Sequence, residues 1–318
     1  MIRRRTLLTT ALAATAALGL AACTDDAEQA GGASDGGGAS DGGGDVLSGV
    51  TVSEDLGAEP TIEFTAPLEI TAADARLITP GDGAVIADGD TVIWRSLFVD
   101  ASTGETLQSW WQGAPASGVQ VTAEGVGEEA YSFLTTVPVG SRFVMAGWQQ
   151  DQAGQARSLL QVADVDRVVS PLRAEGESGD PSGRFPTVTL AENGAPALDA
   201  PPEGEPPTET TREELIVGTG DTTRAGDYLT MHYTGWKFSD GSQFDSSWER
   251  GAPFGFVQGS GMVITGWDEH LLDLSVGSQV MLVIPPADGY GEDPAAHELG
   301  GETLVFVIDV LDAAHTAD

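Results

Sequence analysis

His232-Tyr-Thr-Gly235, followed by Gly241-Ser-Gln-Phe-Asp-Ser-Ser247, is the stretch on which the reading of this chain turns. Leu229, Met231 and Tyr233 alternate with Thr230 and His232, the period-two pattern of a half-buried strand. A short loop follows, and Phe244-Asp245 arrive together. Downstream, Phe254 and Phe256 alternate in Pro253-Phe-Gly-Phe256, and Ile264, Trp267, Leu271 and Leu274 fall at helical spacing, which predicts a short amphipathic helix. Val280, Leu282 and Ile284 alternate again, and Leu304, Phe306, Ile308 and Val310 make a last strand. One helix among about five strands, with no strand-helix-strand rhythm, predicts an α+β fold: an antiparallel sheet packed on a helix.

The same unit is legible a second time. Gly89-Asp90 opens an apolar run as Gly226-Asp227 does, at an offset of 227 − 90 = 137. Thr103-Gly-Glu-Thr106 meets Asp240-Gly-Ser-Gln243, Trp111 meets Trp248, and Val139-Gly-Ser141 meets Val276-Gly-Ser278 in that register. A sustained register marks an internal repeat. Two units are expected, at 57–169 and 186–313, with the Pro-, Gly- and charge-rich stretch 170–185 as a linker.

Upstream, Arg3-Arg-Arg5 precedes an apolar run from Leu7 to Leu20 that is short for a membrane span, so residues 1–22 read as a signal peptide. Leu20-Ala-Ala-Cys23 resembles a bacterial lipobox, which implies lipidation of Cys23 and an anchor on the extracytoplasmic face of the cell membrane; the rival is a plain secretory signal with an incidental cysteine. Arg4-Arg5-Thr6-Leu7-Leu8 loosely fits a twin-arginine signal, so the export route stays open. Residues 23–56, with two Ser-Asp-Gly-Gly-Gly copies, read as a flexible acidic tether. Cys23 is the single cysteine, which excludes an intramolecular disulfide. With 49 acidic against 14 basic residues and a formal charge of −35, the chain repels phosphate backbones, and no nucleic-acid partner is expected.

The four histidines are scattered, and no metal-ligand cluster, serine elbow or phosphate loop is present, so no metal and no cofactor are expected. What remains is a series of aromatics on separated strands and loops. In order and spacing, Tyr233, Phe244-Asp245, Phe254, Val263-Ile-Thr-Gly-Trp267, Tyr290-Gly291 and Thr303-Leu-Val-Phe306 resemble the FKBP-type peptidyl-prolyl cis-trans isomerases over roughly 213–311. The resemblance implies a curved antiparallel sheet wrapped on one helix. It also implies a proline pocket lined by Tyr233, Phe244, Trp267 and Phe306, with Trp267 as its floor. Val263 and Ile264 would border it, the Ile264 N–H and the Tyr290 hydroxyl would bind substrate carbonyls, and Phe254 would wall the far side. Asp245 would sit beside the rotating carbonyl, positioned by Tyr233 and Arg250. Taken singly, Trp267, Phe254 and Phe306 also read as core, and Asp245 with Arg250 as a surface ion pair. The loop 292–302 departs from the family: Gly300-Gly301 replaces the usual prolines, and His297 falls near the pocket mouth.

At the repeat offset, Tyr233 meets Ser96, Phe244 meets Leu107, Asp245 meets Gln108 and Trp267 falls near Ala130, while Leu159-Leu-Gln161 stands against Leu304-Val-Phe306. The first unit is therefore expected to keep an FKBP-like fold without the activity. The function so read is a lipid-anchored isomerase acting on proline-containing exported polypeptides, open to macrolide FKBP ligands. The rivals are a chaperone or proline-motif binding module without turnover, and an envelope structural protein.

Overall fold

The computed structural model describes residues 46–150 and 156–317. The signal segment, Cys23 and the tether up to residue 45 lie outside the described residues. The described chain divides into two compact units, one holding 46–114 and 119–168, the other Val169–Thr316 with Pro115–Gly118.

In the first unit a small hairpin, β1 (Thr51–Val52) with β2 (Ile62–Glu63), precedes β3 (Asp74–Thr79), β4 (Thr91–Asp100), β5 (Thr106–Ser109) and β6 (Ser117–Gln120). Helices α1 (Ala123–Val126) and α2 (Glu128–Leu134) follow, then β7 (Arg142–Gln150) and β8 (Ala156–Val168). The sheet runs β3-β7-β8-β4-β5, with β6 also on β4. The second unit holds β9 (Glu177–Ser178), the hairpin β10 (Val188–Leu190) with β11 (Pro196–Leu198), β12 (Thr211–Val217), β13 (Tyr228–Lys237), β14 (Gln243–Ser246), α3 (Ser247–Arg250), β15 (Phe254–Val257), α4 (Thr265–His270), β16 (Gln279–Ile284) and β17 (Leu304–Ala314). Its sheet runs β9-β12-β16-β17-β13-β14, with β15 on β13. Without β9 the two strand orders are the same. This is an α+β architecture in which every β13, β16 and β17 pairing is antiparallel.

The repeat register survives in detail. β4 and β13 begin and end 137 residues apart (228 − 91 = 137), as do β5 and β14, and β6 and β15. Gly140 and Gly277 both take positive φ, 84° and 93°, a conformation that glycine enters without a Cβ clash. The Gly140 N–H donates to the Val165 carbonyl at 2.9 Å, and that of Gly277 to Val310 at 2.8 Å. One face of each sheet buries its helix. Leu229, Met231, Leu282, Ile308 and Val310 pack with Trp267, Leu271 and Leu274; Val92, Trp94, Phe143 and Val165 pack with Val126, Ala130 and Leu134. The helix expected from Ile264 to Leu274 is shorter, Thr265–His270, with Ile264 as its N-cap and Leu271 as its C-cap.

Three expectations need correction. β13 is not half-buried: Thr230, His232, Thr234 and Trp236 on its outward face are buried too. His232 lies under Trp248, and Trp236 under Phe185, Val188 and Leu198; the second correction concerns this cover. The stretch 170–185 is built into the second unit and is no free linker. β9 pairs with β12, the Glu175 N–H donates to Gly277 O at 3.0 Å, and Phe185, Val188 and Leu198 cover Trp236, Phe238, Met281 and Val283. Third, the tether does not run to residue 56, because Leu47, Val50 and Val52 bury against Leu97, Val144 and Val162 of the first sheet. Burying a side chain such as Phe185 or Leu47 is worth about 1.5–3 kcal/mol, enough to hold a short strap whose composition is loop-like.

The strap of the second unit is pinned by a buried carboxylate. In the second unit Asp309 accepts from the Ala174 N–H and from Gln279 Nε2, both at 2.7 Å. Burial raises its pKa from 3.8 to about 6 despite these donors. A raised folded value means that the stabilisation is complete below about pH 4 and is lost as pH rises through about 6. Above that, ionised Asp309 costs the fold about 3 kcal/mol, at ~1.4 kcal/mol per unit. Asp309→Asn removes the charge. It keeps the Ala174 bond, and the Gln279 amide can turn its oxygen to the new NH2 group. Thermal melts are expected to show the variant about 5–10 °C more stable at pH 8 and no more stable at pH 4. Equal melting at pH 8 would refute the buried charge.

Candidate active site

Nine of the ten pocket residues expected from the sequence meet around one cavity of about 350 Å³. Tyr233, Phe244, Asp245, Phe254, Val263, Ile264, Trp267, Tyr290 and Phe306 line it, joined by Gly261 and Met262. Trp267, held 4% exposed by α4 against the sheet, forms the floor. Its indole lies edge-on to Tyr233 (centroids 5.1 Å apart, 86° between planes) and to Phe306 (5.2 Å, 82°). Phe244 meets Phe306 at 5.5 Å and 87°, and Phe254 closes the other side 6.0 Å from Tyr233. Edge-to-face contacts of this kind fix the rings beyond what area burial does.

The strand pairings explain the convergence. β13 lies between β14 and β17, so Gly235 stands opposite both Asp245 and Phe306. Its missing side chain is the space in which the two rings meet. A Cβ there would lie 2.7 Å from Phe244 Cζ and 2.8 Å from Phe306 Cε1. On the far wall, Asp268 accepts from the Gly259 N–H (3.0 Å) and the Gly261 N–H (2.7 Å), which holds the turn leading to Met262, Val263 and Ile264.

Arg250 does not line the cavity; it stands behind it. The single turn of α3 brings its guanidinium back to Asp245 Oδ1, while its Nη2 donates to Tyr233 Oη at 2.8 Å. The Tyr233 hydroxyl donates to Asp245 Oδ2. Burial, then the Asp245 hydrogen bond, pushes this phenol up to about 12, so it remains a donor across the physiological range. Asp245 is thereby held at the rim with each oxygen already engaged.

Behind Tyr233 lies a set that spacing alone did not single out. Ser247 Oγ accepts from the Tyr233 N–H at 2.8 Å and lies 2.8 Å from His232 Nδ1. The His232 ring stacks on Trp248 at 4.0 Å. Burial, with Arg250 nearby, lowers His232 to about 4, so its imidazole is neutral at pH 7. Its signal in sequence was a histidine and a serine beside two pocket residues, which is too common a pattern to read.

At the mouth Tyr290 is 38% exposed. Its phenol is raised above the usual tyrosine range by burial, then by Asp245 and Glu298. Within the described residues the Ile264 N–H, at the N-cap of α4, makes no hydrogen bond. The cavity thus offers an apolar cup with an O–H and an N–H at its edge. Among the described residues no group of three His, Cys, Asp or Glu side chains is arranged to hold a metal ion.

The family model for FKBP-type peptidyl-prolyl cis-trans isomerases matches residues 220–311. An FK506-binding protein of Streptomyces anulatus is 40% identical over 112 residues, which span 35% of this chain and 90% of that protein.

The chain belongs to the FKBP-type peptidyl-prolyl cis-trans isomerase family.

FK506-binding protein 2 of Emericella nidulans is 50% identical over 90 residues, 28% of this chain and 67% of that protein. The mouse peptidyl-prolyl cis-trans isomerase FKBP2 is 51% identical over 89 residues, 28% of this chain and 63% of that protein. The matched family segment of this isomerase lies in the second unit. In the first unit, Phe98 stands at the place of Gly235 in the strand register, opposite Gln108 and Gln161. Phe98 is 6% exposed, Ser96 accepts from Gln161 Nε2 at 3.0 Å, and α2 carries Ala130 where α4 carries Trp267. A phenyl ring and a closed polar pair take up the positions from which the second unit builds its cup.

Proposed function

We propose that this isomerase turns the bond before proline in exported polypeptides, from a lipid anchor on the outer face of the cell membrane, using the cavity around Trp267. The observation that carries the catalytic part is the meeting of four aromatic rings with a rim of hydrogen-bonding groups around one cavity. Rotation about a peptide bond must overcome about 18–20 kcal/mol of amide resonance. The planar amide carries the larger charge separation, so a water-poor cup favours the twisted form over it. Trp267, Phe306 and Tyr233 bury the pyrrolidine ring, the Tyr290 hydroxyl and the Ile264 N–H orient the flanking carbonyls, and Asp245 faces the carbonyl that rotates. No covalent step is called for. The first unit, with its cup filled, acts as a non-catalytic spacer or client-holding surface.

Anchoring rests on the run ending at Leu20-Ala-Ala-Cys23. Several acyl chains give stable attachment where one is marginal. Because relatives carry the name FK506-binding protein, a macrolide of that class is expected to occupy the cup and compete with peptide.

The chain without residues 1–22 is expected to accelerate isomerisation of a proline tetrapeptide. Tyr290→Phe is expected to lower kcat/KM by about five- to tenfold, the worth of one hydrogen bond of ~1–1.5 kcal/mol. Asp245→Leu is expected to lower it further by freeing Tyr233 and Arg250. No acceleration over buffer would refute the enzymatic reading. Globomycin-sensitive processing, or its absence in a Cys23→Ala strain, tests the anchor.

A further inference from the structure

We propose that His297 is a positioning residue for Tyr290: its imidazole, fixed by the loop 291–301, holds the phenol at the mouth of the cup. This rests on the reading of the Tyr290 hydroxyl as a donor to substrate. Tyr290 lies between Gly289 and Gly291, and its ring is the most exposed of the large side chains at the cavity. It makes no side-chain hydrogen bond among the described residues. Among the described residues its close ring partner is His297, stacked face to face at 4.1 Å with 4° between planes.

His297 is itself held from the core. Its Nδ1 accepts the Leu299 N–H at 3.1 Å, and the Leu299 side chain is buried with Trp267 and Phe306. The His297 carbonyl accepts from the Gly300 N–H at 2.9 Å, and the Gly301 N–H returns to the Gly291 carbonyl at 2.8 Å. The space at Gly300 is closed: a Cβ there would lie 2.2 Å from the Asp293 carbonyl oxygen. A line of contacts therefore runs from the buried Leu299 through one backbone amide and one imidazole to the phenol. With Nδ1 accepting, the neutral ring carries its proton on Nε2.

Without the stack, the phenol is free among about three staggered χ1 wells, and the productive one is diluted about threefold. The two roles of His297 separate by substitution. Asn at this position retains an acceptor for the N–H two residues on, in an Asx turn, and loses the stack. Phe retains the stack and loses the acceptor.

The test is kcat/KM of the full chain on a proline tetrapeptide, with melting followed in parallel. His297→Asn is expected to lower kcat/KM about threefold with unchanged melting, and His297→Phe, which keeps the stack and loses only its anchor, to lower it by less than Asn does. In a Tyr290→Phe background, His297→Asn is expected to cost nothing further, because the hydroxyl through which it acts is gone. The same factor in both backgrounds, or no loss from His297→Asn beside a loss from Tyr290→Phe, overturns the positioning role and leaves the donor reading intact. No loss from Tyr290→Phe overturns the donor reading itself. If His297→Asn lowers melting, His297→Phe decides: a loss as large as that of Asn assigns His297 to loop stability and overturns the proposal.

Discussion

Gly235→Ala is expected to lower kcat/KM by roughly 100-fold in a chain that still folds. The added methyl would sit 2.7 Å from Phe244 Cζ and 2.8 Å from Phe306 Cε1, well inside contact distance. β13 cannot retreat, because it is paired on both sides and buried on both faces. The rings must give way, and the free space beside them is the cup. A displacement of about 1 Å in a positioned site costs on the order of 100-fold in rate, whereas overpacking at one methyl costs about 1–3 kcal/mol of stability. The two readouts therefore diverge: activity collapses while melting falls modestly. Tetrapeptide kinetics and circular dichroism on the same preparation check this. A variant with parental kcat/KM would mean that the Phe244–Phe306 contact does not shape the site. The first unit has made the larger form of this change, since Phe98 stands at the equivalent place.

Arg142→Met is expected to destabilise the first unit by about 3–5 kcal/mol, the usual result of removing one partner of a buried ion pair. The Arg142 side chain is 0% exposed, and its Nε and Nη2 meet the two Asp164 oxygens at 2.6 and 2.7 Å. Its Nη1 and Nη2 also donate to the carbonyls of Ser53 and Ala58, both at 3.0 Å, which pins the strap preceding β3. Burial raises the Asp164 pKa even with this partner in place. Without it, Asp164 would be a buried charge facing two abandoned carbonyls. A raised folded value is costly only above the unfolded value, so the penalty is expected to be full at pH 8 and to shrink in acid. Arg142→Gln installs the pair that the second unit uses, Gln279 with Asp309, and is expected to cost less. Urea unfolding at pH 8 and pH 5 measures both. A loss below about 1 kcal/mol at pH 8 would show that the pair carries little of the fold.

The sheet and the cup were legible to different depths. Strand alternation at Leu229–Tyr233 and Val280–Ile284, and the helical spacing around Trp267, are local properties of the chain, and the elements formed where those periods stand. The repeat was legible because one register runs from Gly89 to Ser141. What was not legible was cover. The stretch 170–185 has linker composition, yet it holds Phe185 and lends backbone groups to β12, and nothing in its local pattern distinguishes a strap from a free segment. The two-sided burial of β13 comes from Phe185 of that strap, the β10–β11 hairpin and Trp248 of α3, and no local pattern announces it. Likewise His297, Ser247 and His232 are single residues without a periodic signature; their roles come from rings and hydroxyls that approach through folding.

The sequence by itself determined which side chains are available and in what order: the pocket aromatics of the second unit, their replacement by Ser96, Leu107 and Ala130 in the first, the acidic surface and the alternation that makes strands. These depend on neighbours a few residues apart. Only the tertiary structure decided that Tyr233 and Phe306, 306 − 233 = 73 residues apart, face one cavity, that Gly235 is the gap between two rings, and that buried Asp309 fastens one strap and buried Arg142 the other. Such relations depend on strand order and register, which arise when the whole chain buries its apolar surface at once, and no local window of residues contains them.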